Sequence, residues 1–293
     1  MRKKWYLALL LVCVLFLCAC ADLRQGDDAL QMPAHTQGTG GADAPGTAVP
    51  EPELPDDSGS ETVPPEEERP DHTQENTEPP QPVHSELYLP DCTAGQMTEY
   101  FEEVVLHTEY SDGTGEDYLV QKWLSPIRYR VFGTPTDTDN EVLDALVEQL
   151  NSIPGFPGIC AAEDGEPEDV SISFLEREAF ETSFSVVTNG EDSFGAVQYW
   201  YYTQTNELYA ACIGCRTDID QDERNSVLVE EVINMLGISD TVLRPDSITY
   251  QYSNENTALS EIDLVILKLL YDPAIACGMD AGQCAGVIRE LYY

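Results

Sequence analysis

The stretch Ser226-Val-Leu-Val-Glu-Glu-Val-Ile-Asn-Met-Leu-Gly237 decides how this chain is read. At about 100° per residue, Leu228, Val229, Val232, Ile233, Met235 and Leu236 fall on one broad apolar arc of a helix. Glu230, Glu231, Asn234 and Val227 share the narrow remaining face. Gly237 stands where a helix C-terminus favours a residue free to adopt positive φ. The pattern predicts a mostly buried helix with a thin polar stripe, the downstream chain packed behind it.

The coarse elements around this helix follow from periodicity and breakers. Thr98 to Glu109 is amphipathic and helical, and Ile127 to Phe132 alternates as a half-buried strand. Asn140 to Ser152 carries Val142, Leu143, Leu146, Val147 and Leu150 at helical spacing and is stopped by Pro154 and Gly155. Val170 to Leu175 reads as a strand. Phe194 to Tyr202 and Glu207 to Cys212 read as aromatic-rich strands of a hairpin. Leu259 to Leu270 is a last long helix, capped by Ser260 and stopped by Pro273. The order predicts an α+β fold with a mixed, twisted sheet. Residues 87–293 are long enough for one core and one domain.

The chain before that domain has a different composition. Arg2, Lys3 and Lys4 precede an apolar run from Trp5 to Ala19, the shape of a secretory signal over residues 1–19. The run is shorter than the ~20 residues a membrane span needs. It ends in Leu17-Cys18-Ala19-Cys20, which resembles a bacterial lipobox, and this makes Cys20 the expected lipidation site. Two or more acyl chains hold a protein firmly to a membrane. Residues 20–86 lack apolar periodicity and are rich in Pro, Glu and Thr. Such a segment cannot bury enough surface to offset its ordering entropy, so a disordered stalk is expected. The expected location is the cell membrane, facing outside the cytoplasm.

With 54 acidic and 14 basic residues the net charge is −40, a field that repels nucleic acid and anionic lipid. Of the 9 cysteines, Cys13 and Cys18 leave with the signal and Cys20 carries lipid. Cys92, Cys160, Cys212, Cys215, Cys277 and Cys284 remain, an even number that reads as disulfides in an exported domain. Cys277 and Cys284 bracket a Gly-containing loop and are the first candidate pair. Cys212-Ile-Gly-Cys215 reads as a structural bridge in preference to a redox pair or half a zinc site, and connectivity stays open.

Several stretches resemble a bacterial family of exported lipoproteins catalogued as domain of unknown function 2927. They include Phe101-Glu-Glu-Val-Val, Lys122-Trp123-Leu-Ser-Pro126-Ile-Arg-Tyr-Arg-Val-Phe-Gly133 and Leu228-Val-Glu-Glu-Val-Ile-Asn-Met-Leu-Gly237. Asp246-Ser-Ile248, Leu259-Ser-Glu-Ile-Asp263 and Leu269-Leu-Tyr-Asp-Pro273 with Gly278-Met279 follow in order. This resemblance brings no established activity. The arrangement also looks like the minimal catalytic domain of metzincin-type zinc peptidases, with an active-site-like helix ending in Leu-Gly and a C-terminal helix. Asp263, Ile266, Leu270 and Tyr271 fit the last helix of that pattern loosely.

A His-Glu-x-x-His motif sets two zinc ligands one turn apart around a general base. Here the positions read Glu230-Glu231-Val-Ile-Asn234, so the glutamate keeps its register and both histidines are absent. The chain has four histidines: His35, His72 and His84 in the stalk, and His107 in the domain, where it is read as packing on the first helix. Oxygen ligands favour Ca²⁺ over zinc. Asp218-Ile-Asp-Gln-Asp222 resembles the start of a calcium loop but lacks its glycine and its final glutamate. It is read as an acidic approach to a helix N-terminus, a weak Ca²⁺ site being the minority reading. No resident metal or cofactor is expected. Glu230 and Glu231 project about 100° apart and are read as solvated or as capping nearby backbone. With Asn234 they outline an expected cleft. The sequence therefore predicts a non-catalytic binding module for an unknown protein or peptide. The alternative is a hydrolase using Glu231 as its base, with an atypical metal or none.

Overall fold

The computed structural model describes the backbone of residues 34–36 and residues 85–106, 118–188 and 193–292 in full. Strands are β1 (Ala34–Thr36), β2 (Lys122–Trp123), β3 (Ile127–Gly133), β4 (Ile159–Ala161), β5 (Val170–Leu175), β6 (Gly195–Tyr201) and β7 (Glu207–Arg216). Helices are α1 (Ala94–Leu106), α2 (Asp137–Asn151), α3 (Arg177–Phe184), α4 (Gln221–Asn234), α5 (Glu261–Leu270) and α6 (Ala281–Leu291). The fold is α+β, built on one mixed sheet in the order β1-β6-β7-β5-β3-β4, with β2 parallel to the start of β7. From β7 to β4 the pairs are parallel; β6 runs antiparallel to both β7 and β1.

Alternation along β6 and β7 sorts side chains between two faces. Val197, Tyr199, Ile213 and Cys215 join the main core, while Ala196, Leu175 and Cys212 pack with Phe180 and Phe184 of α3. Helix α4 lies over the main-core face. Every residue from Ser226 to Ser239 is buried, so the helix is enclosed on all sides and its polar stripe goes inside with it. Its C-terminus is closed as the sequence predicts. Gly237 takes φ 95°, and a Cβ there would come within 2.3 Å of the Gln121 carbonyl oxygen. Trp123 Nε1 donates to the Met235 carbonyl at 2.9 Å, satisfying one of the acceptors that a helix end leaves open.

Two aspartates do double duty at helix starts. Asp139 completes a capping box with Thr136 at the N-terminus of α2. The same carboxylate accepts from Gln221 Nε2 at 2.7 Å and Arg224 Nε at 2.9 Å, which ties α2 to the first turn of α4. Asp263 forms the equivalent box with Ser260 on α5 and also accepts from Ser247 Oγ at 2.6 Å and Ile248 N–H at 3.1 Å. Burial pushes both carboxyls up. Hydrogen bonds from Thr136, Gln221 and Arg224 outweigh burial at Asp139, which ends below the usual carboxylate range; Asp263 meets only neutral donors and stays above it.

The structure departs from the sequence reading in several places. Helix α4 begins at Gln221, five residues before the quoted stretch, with Asp220 in extended conformation at the N-cap position. Cys284 lies inside helix α6, whose capping box is Asp280 with Gln283, and not at the end of a loop. Within the expected stalk, Ala34–Thr36 forms strand β1; the rest of that segment, Cys20 and the signal lie outside the described residues. His107 and Glu109 do too. Among the described residues no helix is long and apolar enough to cross a membrane.

Replacing Asp139 with Ala leaves Arg224, whose side chain is 8% exposed, without its carboxylate. The expected loss is about 3–5 kcal/mol of stability at neutral pH, read by denaturant unfolding. Because the folded pKa of Asp139 is lowered, the wild-type advantage is present above the unfolded carboxylate pKa and fades as pH falls through the folded one. A difference under about 1 kcal/mol at neutral pH would show that the tie does not hold α2 to α4.

Candidate functional site

The residues singled out on α4 sit together but not in an open cleft. Glu230, Glu231 and Asn234 are 2%, 1% and 2% exposed. The expected solvated stripe is therefore corrected: the helix packs against β6 and β7 of the sheet and against α2. Glu231 lies against the β6–β7 pair. A Cβ on Gly195 would stand 2.5 Å from Glu231 Oε1 and 2.4 Å from Val227 Cγ1, so a glycine is what lets β6 come this close. Gly195 pairs with Cys215, whose thiol is pushed well up by burial and then by the Glu231 charge.

Asn234 adds a residue that the sequence reading missed. Its Nδ2 donates to Asp240 Oδ1 at 3.3 Å, while its own Oδ1 is buried without a hydrogen-bond partner. The spacing Glu230, Asn234, Gly237, Asp240 carried this signal, since the turn at Gly237 folds the chain back towards the helix end. Beyond that turn, Val105, Tyr118, Tyr199, Gly237 and Ser239 line a crevice with room for about one water molecule.

These donors do not fit a peptidase zinc. Glu230, Asn234 and Asp240 offer carboxylates and an amide, with no imidazole or thiolate among them, whereas catalytic zinc takes nitrogen-rich sets. Among the described residues no three His, Cys, Asp or Glu side chains stand close enough to hold a metal. Asp218 is instead an ion-pair partner, accepting from Arg216 at 2.8 Å and from Arg177 at 3.3 Å. The Arg216 hydrogen bond holds its carboxyl down at about 2. Asp222 and Glu223 lie in the first turn of α4, where negative charge complements the helix dipole.

Among the described residues the structure draws no disulfide between the domain cysteines. Cys212 and Cys215 are three residues apart on β7 and therefore point to opposite faces of the sheet, which rules out a bridge between them. Cys92 is buried near the start of the domain and Cys160 is exposed on β4. Cys277 Sγ donates to the Lys122 carbonyl at 3.6 Å, and Cys284 is buried against the core from α6.

Lys122 is a further residue the sequence did not flag. It is 5% exposed, and its ammonium donates to the carbonyls of Leu270 at 2.8 Å and Ile275. It closes the C-terminal end of α5 much as Trp123 closes α4.

No curated protein matches the chain. A family model does, over residues 94–290, from the start of α1 to the last turn of α6, and it spans strands β2 to β7, the buried helix α4 and the capping-box aspartates Asp139 and Asp263. The chain belongs to the family described as protein of unknown function DUF2927.

Proposed function

We propose that this protein is a membrane-anchored, extracytoplasmic binding module for a protein or peptide, on a scaffold that resembles a metzincin-type peptidase domain but does not catalyse. One observation carries the reading: Glu231, in the register of a peptidase base, is 1% exposed and packed against Gly195. A general base has to reach the proton it takes, within about 2.6–3.2 Å or through one water. A carboxylate enclosed by β6, β7 and Val227 reaches no substrate. A base without a polarised water supplies in any case only about 10²–10⁴-fold. The mixed sheet with an antiparallel β6 beside β7, followed by α4 and a later helix, supports the likeness to that scaffold. The charged leader, the apolar run and Cys20 support the anchor.

The anchor is tested by replacing Cys20 with Ala and labelling cells with a fatty-acid probe. Label should be lost and the protein should leave the membrane fraction; label at the wild-type level would refute lipidation. The Glu231→Gln substitution tests the absence of catalysis. It keeps the shape but places an amide NH₂ where the site is built around a carboxylate, so stability should fall by about 1–2 kcal/mol. Neither protein should hydrolyse a peptide library. Turnover by the wild type that disappears in Glu231→Gln would install a hydrolase in place of the binding module.

A further inference from the structure

The side-chain carboxamide of Gln221, the first residue of α4, has every hydrogen-bond position filled. Its Oε1 accepts from Arg224 Nη2 at 2.6 Å and from the Thr136 hydroxyl at 3.0 Å. Its Nε2 donates to Asp139 Oδ1 at 2.7 Å and to Asn225 Oδ1 at 2.8 Å. A guanidinium only donates and a carboxylate only accepts, so the two ends of the amide are fixed. The partners have the chemistry of acyl transfer: a hydroxyl, a carboxylate and a cation gathered around one carbonyl.

The Thr136 hydroxyl is held in place by the capping box, where it accepts from Asp139 N–H at 3.1 Å. It lies within hydrogen-bond reach of the Asp139 carboxylate as well as of the Gln221 carbonyl. A hydroxyl becomes a nucleophile when an adjacent base takes its proton. Asp139 is placed to be that base: its side chain is 0% exposed, and hydrogen bonds outweigh burial and keep it ionised at neutral pH. Arg224, with its side chain 8% exposed, sets a positive charge at the carbonyl oxygen, where negative charge develops when a nucleophile adds. The carboxylate that faces the hydroxyl also holds the nitrogen that has to leave.

We propose that Thr136 and Gln221 join in an intramolecular ester that ties the N-terminus of α2 covalently to the N-terminus of α4. Thr136 Oγ1 adds to the side-chain carbonyl carbon of Gln221 and passes its proton to Asp139, while the C=O electron pair moves onto Oε1, facing Arg224 Nη2. When that pair returns, the bond from the carbonyl carbon to Nε2 breaks, and the nitrogen takes the proton from Asp139 and departs as ammonia. One C–O bond replaces one C–N bond, with no change of oxidation state and no co-reactant. The step has to occur only once per molecule, and groups held in such register react with effective molarities of about 10⁵–10⁸ M. The inference is independent of the binding-module reading and concerns how the buried helix is held.

The test is the mass of the full chain as isolated from cells, measured fresh and after prolonged incubation at neutral pH, beside Thr136→Ala and Thr136→Ser. After allowing for the substitution, the wild type should be lighter than Thr136→Ala by one ammonia. Thr136→Ser keeps a hydroxyl and should keep the loss. Trypsin should release residues 131–177 joined to residues 217–224, and hydroxylamine, which cleaves esters, should separate the two peptides. A wild-type chain with no ammonia missing, fresh or incubated, would overturn the inference and leave the hydrogen bonds as a tie alone. So would an ammonia loss confined to a single peptide, or one that persists in Thr136→Ala.

Discussion

Helix α4 has to be buried on every side while carrying two carboxylates and an amide inward. The side chains of Val227, Leu228, Val229, Val232, Ile233, Met235 and Leu236 each contribute about 1.5–3 kcal/mol on burial. Against that, burying a poorly compensated polar or charged group costs several kcal/mol. The apolar side is large enough to carry a few such groups, and this sets the rest of the architecture. β6 needs a glycine at position 195 to approach Glu231, the turn at Gly237 needs a positive φ to bring Asp240 back to Asn234, and the helix end needs Trp123 to close it.

The helix is held at both ends by groups from distant parts of the chain. At its start, Asp139 of α2 accepts from Arg224 and Gln221, so one carboxylate caps one helix and orients another. Beyond its end, Tyr271 donates to the Leu236 carbonyl at 3.4 Å and Asp263 binds the Ser247–Ile248 segment. Asp139 and Asp263 share a local role and differ in charge preference, because only Asp139 faces a guanidinium. Residues that read as ordinary N-terminal capping signals are thus also long-range ties between elements.

Periodicity carried much of the fold. The strand Val170–Leu175, the hairpin of β6 and β7, and helices α2, α4 and α5 were all legible because apolar spacing and breakers were unambiguous there. The two-residue β2, three-residue β1 and β4, and eight-residue α3 were too short to show a period. Helix α6 was hidden because the Gly-containing stretch between Cys277 and Cys284 read as a loop, whereas the Asp280–Gln283 capping box starts a helix there. The candidate site was legible in identity but not in exposure. Helical spacing places Glu230, Glu231 and Asn234 together; it cannot say that the polar face is also covered, which depends on the separate elements α2, β6 and β7. Cys-x-x-Cys spacing likewise does not show that strand alternation separates Cys212 from Cys215.

In the reading proposed above, the buried helix α4 serves as a packed structural element and takes no part in a metal-dependent reaction. Its chemical basis is the donor set, two carboxylates and an amide with no histidine on α4. Native mass spectrometry of the mature chain, purified without chelators, measures its metal content. The expected result is a folded protein with no stoichiometric transition metal. One zinc ion retained per folded chain, and lost together with Glu230→Ala or Asn234→Ala, would contradict it.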